Sequence, residues 1–133
     1  MNKKVLVISA SPRKAGNSDI LCDEFIKGAR ESNNQVAKVS LREKNINFCD
    51  GCGACEKTGV CLQSDDVKDI LDQMMESDAI VMASPVYFYS ISAQMKALID
   101  RTVSIYQKLS NKEFYFIITA WDDDPNMLER TLE

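Results

Sequence analysis

Residues 1–18 read MNKKVLVISASPRKAGNS, and the parsing of that stretch decides the fold. Lys4 opens a β-branched run, Val5-Leu6-Val7-Ile8, which stops at a polar segment from Ser9 to Ser18, after which apolar residues recur at helical spacing. The pattern is strand, loop, helix. A tight turn between a buried parallel strand and a helix aims backbone N–H groups and the positive end of the helix dipole at one point. The hydroxyls of Ser9, Ser11 and Ser18, the Asn17 amide and the Arg13 guanidinium supply further donors around it, a set suited to a phosphate dianion. The loop is neither a Walker loop nor a dinucleotide fingerprint, since Gly16 is its single glycine and no lysine follows it. An ordinary polar turn between strand and helix remains an alternative at this point.

Working outward, Leu21, Cys22, Phe25, Ile26 and Ala29 mark a first amphipathic helix that ends near Ser32-Asn33-Asn34. Gln35–Ser40 is a second strand of mixed polarity, as an edge strand is. Residues 41–64 follow neither period and hold four of the five cysteines. Ser64-Asp65-Asp66 supplies a cap and first-turn acids for a helix through Val67, Ile70, Leu71, Met74 and Met75, with Cys22 and the methionines assigned to the core. Ala79–Ala83 is a continuous apolar third strand, broken at Ser84-Pro85-Val86-Tyr87-Phe88-Tyr89-Ser90. A third helix through Met95, Leu98, Ile99, Thr102 and Val103 takes Ser90 or Ser92 as its cap. A fourth strand over 114–119 leads to Ala120-Trp121 and an acidic run, with Pro125 opening a last helix. Alternating strands and helices predict a doubly wound parallel sheet with helices on both faces and ligands at the carboxyl ends of its strands. The loops 9–18, 84–92 and 120–124 all fall on that edge.

The chain has 133 residues, 45% of them hydrophobic, which suits one domain over 1–133. A net charge of −4 with dispersed basic residues gives no footprint for nucleic acid or an anionic membrane. No segment has the length of a membrane span or the form of a signal peptide, so a cytoplasmic protein is expected, in which cysteines serve as thiols or metal ligands. With no histidine in the chain, His-dependent triads and His-rich zinc sites are excluded.

Tyr87, Phe88 and Tyr89 stand across the switch point from the phosphate-type loop, an arrangement suited to a flat heteroaromatic ring with a ribityl phosphate tail. The segments VISASPRKAGNS (7–18), CDGCGACEKTGVC (49–61), SDAIVMASPVYFYSISAQMKALIDR (77–101) and FYFIITAWDDD (114–124) together resemble the flavodoxin-like NAD(P)H-dependent FMN reductase family over essentially the whole chain. The resemblance implies a three-layer α/β/α flavodoxin-like sheet of strand order 2-1-3-4-5, with a final strand and helix beyond those seen here. By position it places FMN phosphate on Ser11, Arg13, Asn17 and Ser18, and the isoalloxazine against Pro85, Val86, Tyr87, Phe88, Tyr89 and Ser90, with Ala120 and Trp121 on the third loop. It implies an oxidoreductase that passes electrons from NAD(P)H through FMN to an acceptor; a non-enzymatic flavodoxin-type electron carrier is the alternative.

Cys49-x2-Cys52-x2-Cys55-x5-Cys61, with glycines at 51, 53 and 59, is a compact thiolate set of the kind that holds an Fe–S cluster. A subset of the family, the iron-sulfur flavoproteins, is similar here, which implies a [4Fe-4S] centre near the flavin. Free or redox-active thiols and a zinc held by four thiolates stay open beside it, zinc sites more often using two separated CxxC pairs. The fourth strand, apolar and at the end of the sheet, is expected either to be covered in a homo-oligomer or to mark the chain as a fragment.

Overall fold

The computed structural model describes residues 2–133; Met1, the first residue of the quoted stretch, lies outside the described residues. Four strands form the body of the sheet: β1 (Lys4–Ser9), β2 (Gln35–Ser40), β3 (Ala79–Tyr87) and β5 (Glu113–Thr119), while β4 (Ser90–Ile91) is a short return of β3. The helices are α1 (Asn17–Glu31), α2 (Ala54–Thr58), α3 (Val67–Glu76), α4 (Ala93–Arg101) and α5 (Pro125–Leu132). The parallel order is β2-β1-β3-β5, with Leu6 beside Ala37 on one side and Ile80 on the other, and Ile80 in turn beside Phe114. This is the flavodoxin-like doubly wound sheet expected from the sequence, the predicted fourth strand being β5 here.

Strand periodicity divides the core in two, because successive side chains point to opposite faces. Leu6, Ile8, Ile80 and Met82 face α3 and α4, packing with Val67, Ile70, Leu71, Met74, Met95 and Leu98. Val5, Val7, Ala79, Val81 and Ala83 face α1, where Cys22 and Ile26 meet them. Cys22 is fully buried, and burial pushes its thiol up to about 11. β2 and β5 lie at the two ends of the parallel order, and the aromatic side chains of β5 remain partly exposed.

The structure corrects two readings and decides between the two caps offered for α4. β3 does not stop at Ala83: it runs on through Pro85 to Tyr87 and turns back at once into β4, pairing Val86 with Ile91 and Tyr87 with Ser90. Beyond Ala83 the neighbour β1 has ended, so β4 occupies the vacated edge and pairing continues although Pro85 brings no N–H. The aperiodic region 41–64 contains α2, a helix too short to show a period, started and ended by Gly53 (φ 72°) and Gly59 (φ 67°) in the left-handed conformation. Ser92, not Ser90, caps α4, its hydroxyl accepting from the Met95 N–H.

Candidate functional site

The carboxyl ends of β1, β3 and β5 surround a cleft of about 180 Å³ lined by Ser11, Arg13, Asn17, Ser18, Pro85, Val86, Tyr87, Thr119, Ala120 and Trp121. Helix geometry leaves the N–H groups of Asn17, Ser18 and Asp19 without intrahelical partners. Gly16 stands at the cap position and no side chain caps them. Anion binding needs donors left open in this way. A Cβ at Gly16 would lie 2.7 Å from Ser11 Oγ, so a larger residue there would push the Ser11 hydroxyl aside. The Ser11 hydroxyl donates to the Arg13 carbonyl at 2.9 Å, which holds the turn. Arg13 is exposed and, among the described residues, forms no ion pair, leaving its guanidinium available to an anion.

Ser9 does not join the cleft. It is buried, and its hydroxyl donates to Asp19 Oδ1 at 3.0 Å. That carboxylate, unremarked in the sequence, organises the loop from beneath. Its Oδ2 accepts from the Ala15 N–H at 3.3 Å, fixing a non-glycine residue at φ 54°, and Lys38 Nζ of β2 lies 2.9 Å from Oδ1. Burial works to raise the Asp19 carboxyl, but Lys38, Ser9 and the Ala15 N–H together hold it below the usual carboxylate value. Arg42 Nη1 stands 3.7 Å from the same carboxylate, buried and without a hydrogen-bond partner among the described residues.

A second missed element joins the two principal loops. The Ala10 N–H donates to the Ala83 carbonyl at 2.8 Å, the Ser92 hydroxyl donates to the Ala10 carbonyl at 3.2 Å, and the Ser92 N–H donates to Ser84 Oγ at 2.8 Å. Ser84 and Ser92 are buried, so these bonds set the loop after β1 against the β3–β4 hairpin. At the hairpin tip Phe88 and Tyr89 both have positive φ, 46° and 66°, the backbone that a two-residue type I′ turn requires and that aromatic residues rarely adopt. Their rings touch edge to face and stand in the open, Phe88 at 96% exposure. Phe88, Tyr89 and Ser90 therefore lie at the mouth rather than in the lining, whereas Tyr87 and the fully exposed Trp121 belong to it. Thr119, not foreseen, completes the third wall.

The four cysteines of the central segment also converge. Cys49, Cys52, Cys55 and Cys61 line one small cavity with Arg101 and Ser104, Cys49 and Cys52 being exposed and the other two half-buried. Among the described residues no three His, Cys, Asp or Glu side chains are gathered closely enough to hold a single metal ion. Sets of four thiolates hold either four-iron clusters or structural zinc.

The model of a family described as NADPH-dependent FMN reductase matches residues 3–125. Two similar curated proteins are iron-sulfur flavoproteins. One, of Archaeoglobus fulgidus, is 44% identical over 74% of this chain and 44% of its own length; the other, of Methanocaldococcus jannaschii, is 43% identical over 74% and 51%. The chain thus spans about half the length of these relatives. Among solved structures, an NADH:FMN oxidoreductase in its apo form superposes with a TM-score of 0.70 at 18% identity, over 96% of this chain and 62% of that one. The Trp repressor binding protein from Bacillus subtilis does so with a TM-score of 0.69 at 18% identity, over 98% and 74%. At such identities the likeness speaks for the fold alone. No helix among the described residues is long and apolar enough to cross a membrane.

Proposed function

The chain belongs to the NADPH-dependent FMN reductase family, and on that footing we propose that it binds FMN in the cleft at the ends of β1, β3 and β5 and works as an oxidoreductase fed by NADH or NADPH. The observation that carries this reading is the cleft itself. An uncapped helix start, an unpaired arginine and two hydroxyls stand at one side of it, and Pro85, Val86, Tyr87, Ala120 and Trp121 at the other. Ser11, Arg13, Asn17 and Ser18 would hold the phosphate. Backbone groups of 85–87 and 119–121 would meet the polar edge of the ring, and Tyr87 with Trp121 would shield its face from water. Bound FMN supplies hydride acceptance from a nicotinamide and release of electrons singly or in pairs. No acid, base or nucleophile is required of the chain, whose part is to orient the ring and fix the electrostatics around it.

We further propose that Cys49, Cys52, Cys55 and Cys61 hold a [4Fe-4S] cluster, which supplies one-electron transfer. Support comes from the convergence of the four sulfurs on one cavity and from the names of the two archaeal relatives. Titration with FMN, followed by quenching of flavin fluorescence, tests the first reading. Saturable uptake by the wild type, weakened about tenfold or more by Arg13→Ala, is expected, since a charged partner to phosphate contributes about 1.5–3 kcal/mol. A chain that takes up no FMN ends the reading. Steady-state oxidation of NADH and NADPH with added acceptors then separates a reductase from an electron carrier, the carrier turning over neither nucleotide.

A further inference from the structure

The cysteine segment is held at both ends by one side chain. Arg101, at the last position of α4, and Asp65, just past the segment, form an ion pair whose side chains are 1% and 0% exposed. The pair is bidentate, Arg101 Nη1 lying 2.7 Å from Oδ2 and Nη2 lying 3.1 Å from Oδ1. The same Nη1 donates to the Asn47 carbonyl at 2.8 Å and to Gln63 Oε1 at 3.1 Å. Asn47 precedes Cys49, while Gln63 and Asp65 follow Cys61. The flanks are also laced to each other, the Asn47 N–H donating to Asp65 Oδ2 at 2.9 Å and Gln63 Nε2 to the Phe48 carbonyl at 3.1 Å. The guanidinium Nε is buried and has no partner among the described residues. A buried N–H without a partner is costly, the more so when charged, unless something else meets it. Arg101 borders the cavity that the four cysteines line, and Cys61 is among the groups that favour its charged form.

We propose that Arg101 is the positioning residue of the cysteine segment: it joins residue 47 to residues 63–65, so that Cys49 and Cys61 enter and leave one cavity, and keeps a positive charge and an unused N–H at that cavity's wall for anionic sulfur. The second half rests on the cluster reading above; the first half does not. Asp65 offsets the guanidinium charge for folding, but its oxygens are already engaged by Arg101, Asn47 and the Val67 N–H. Asp65 therefore does not take up the buried Nε. Donors to the sulfurs of a cluster fix ligand orientation and shift its potential.

The test uses Arg101→Ala and, because that change leaves the Asp65 carboxylate buried and unpaired, also Arg101→Met combined with Asp65→Asn, which strands no charge. Slow reaction of the buried Cys22 and unchanged FMN uptake serve as controls for the fold. In iron-free protein, reaction of Cys55 and Cys61 with an aromatic disulfide is expected to accelerate about tenfold or more as the segment opens locally. After anaerobic reconstitution with ferrous iron and sulfide, iron retained by both variants is expected to fall below about half of the wild-type amount. Methylguanidinium added to Arg101→Ala restores retention and methylammonium does not, since only the planar fork satisfies several acceptors at once. Wild-type thiol rates and iron retention in both variants overturn the proposal. So does a parallel loss of Cys22 protection and FMN uptake, which makes Arg101 a general stability residue. A wild type that takes up no iron overturns the sulfur-side half, and the thiol rates still decide the other.

Discussion

Asp19 shows how much of a loop at the cleft can depend on a residue that does not line it. Its carboxylate accepts from the Ser9 hydroxyl and the Ala15 N–H and pairs with Lys38, so end of strand, corner of loop and neighbouring strand share one acceptor. Asp19→Ala leaves these donors buried or half-buried without it, a loss of about 2 kcal/mol in stability, measurable by urea unfolding, together with weaker FMN uptake. Gly16→Ala acts differently. The backbone there has φ −68°, which alanine adopts freely, so stability changes by under about 1 kcal/mol. The new Cβ meets Ser11 Oγ at 2.7 Å and forces it off the Arg13 carbonyl, and FMN titration is expected to register about a tenfold loss. Asp19 and Asp65 also set the acid limit of the fold. Burial pushes each carboxyl up, but Lys38 and Ser9 at Asp19, and Arg101 with the Asn47 and Val67 N–H groups at Asp65, bring both below the ordinary value. A lowered folded-state pKa means stability that is present above the unfolded value of about 3.9 and drains away as pH falls through the lowered ones. Thermal melts are therefore expected to be flat near neutrality and to fall steeply below about pH 4. Asp65→Asn is expected to start lower and to fall less.

The β3–β4 hairpin is the element in which local preference and tertiary placement disagree. Phe88 and Tyr89 sit at positive φ, where a non-glycine side chain costs about 1–2 kcal/mol. Asn and Gly are the residues such a turn favours. Phe88→Asn with Tyr89→Gly is expected to raise the melting temperature by about 5 °C and to weaken uptake of the flavin, whose ring loses the aromatic surface at the mouth of the cleft. Calorimetry with and without FMN separates the two effects: a variant both more stable and equally avid for FMN shows that the aromatic tip has no part in binding. Sequence alone missed this hairpin because Pro85 signals the end of a strand. It is the loss of β1 as a neighbour that lets β4 pair there. α2 was missed for a related reason, since five residues carry too little periodicity to be seen.

At the scale of the whole molecule the two faces of the sheet are unequally covered. α3 and α4 cover one and α1 the other, and among the described residues β5 pairs only with β3, leaving Tyr115 and Phe116 about half exposed, at 46% and 54%. An apolar edge strand of this kind is a template for further pairing. We propose association of copies along this edge: light scattering at micromolar concentration is expected to give a species larger than a monomer, and Phe116→Lys to return it to one. A wild type that stays monomeric ends that proposal.

The strand-loop-helix opening, the continuous apolar runs of β1 and β3, and the spacing of α1, α3 and α4 were all written in the sequence. Local periodicity and steric preference fix such features without reference to the rest of the chain. The same opening singled out Ser11, Arg13, Asn17 and Ser18, which the structure brings to one cleft with Pro85, Val86 and Tyr87. Tertiary structure alone decided which serine turns away: Ser9 and Ser11 look alike in sequence, yet the pleat aims Ser9 at Asp19. It alone brought Arg101 to the flanks of a cysteine segment more than thirty residues earlier. Pairings of that kind depend on which buried donor finds which acceptor once the layers have closed, and no pattern along the chain encodes that distance.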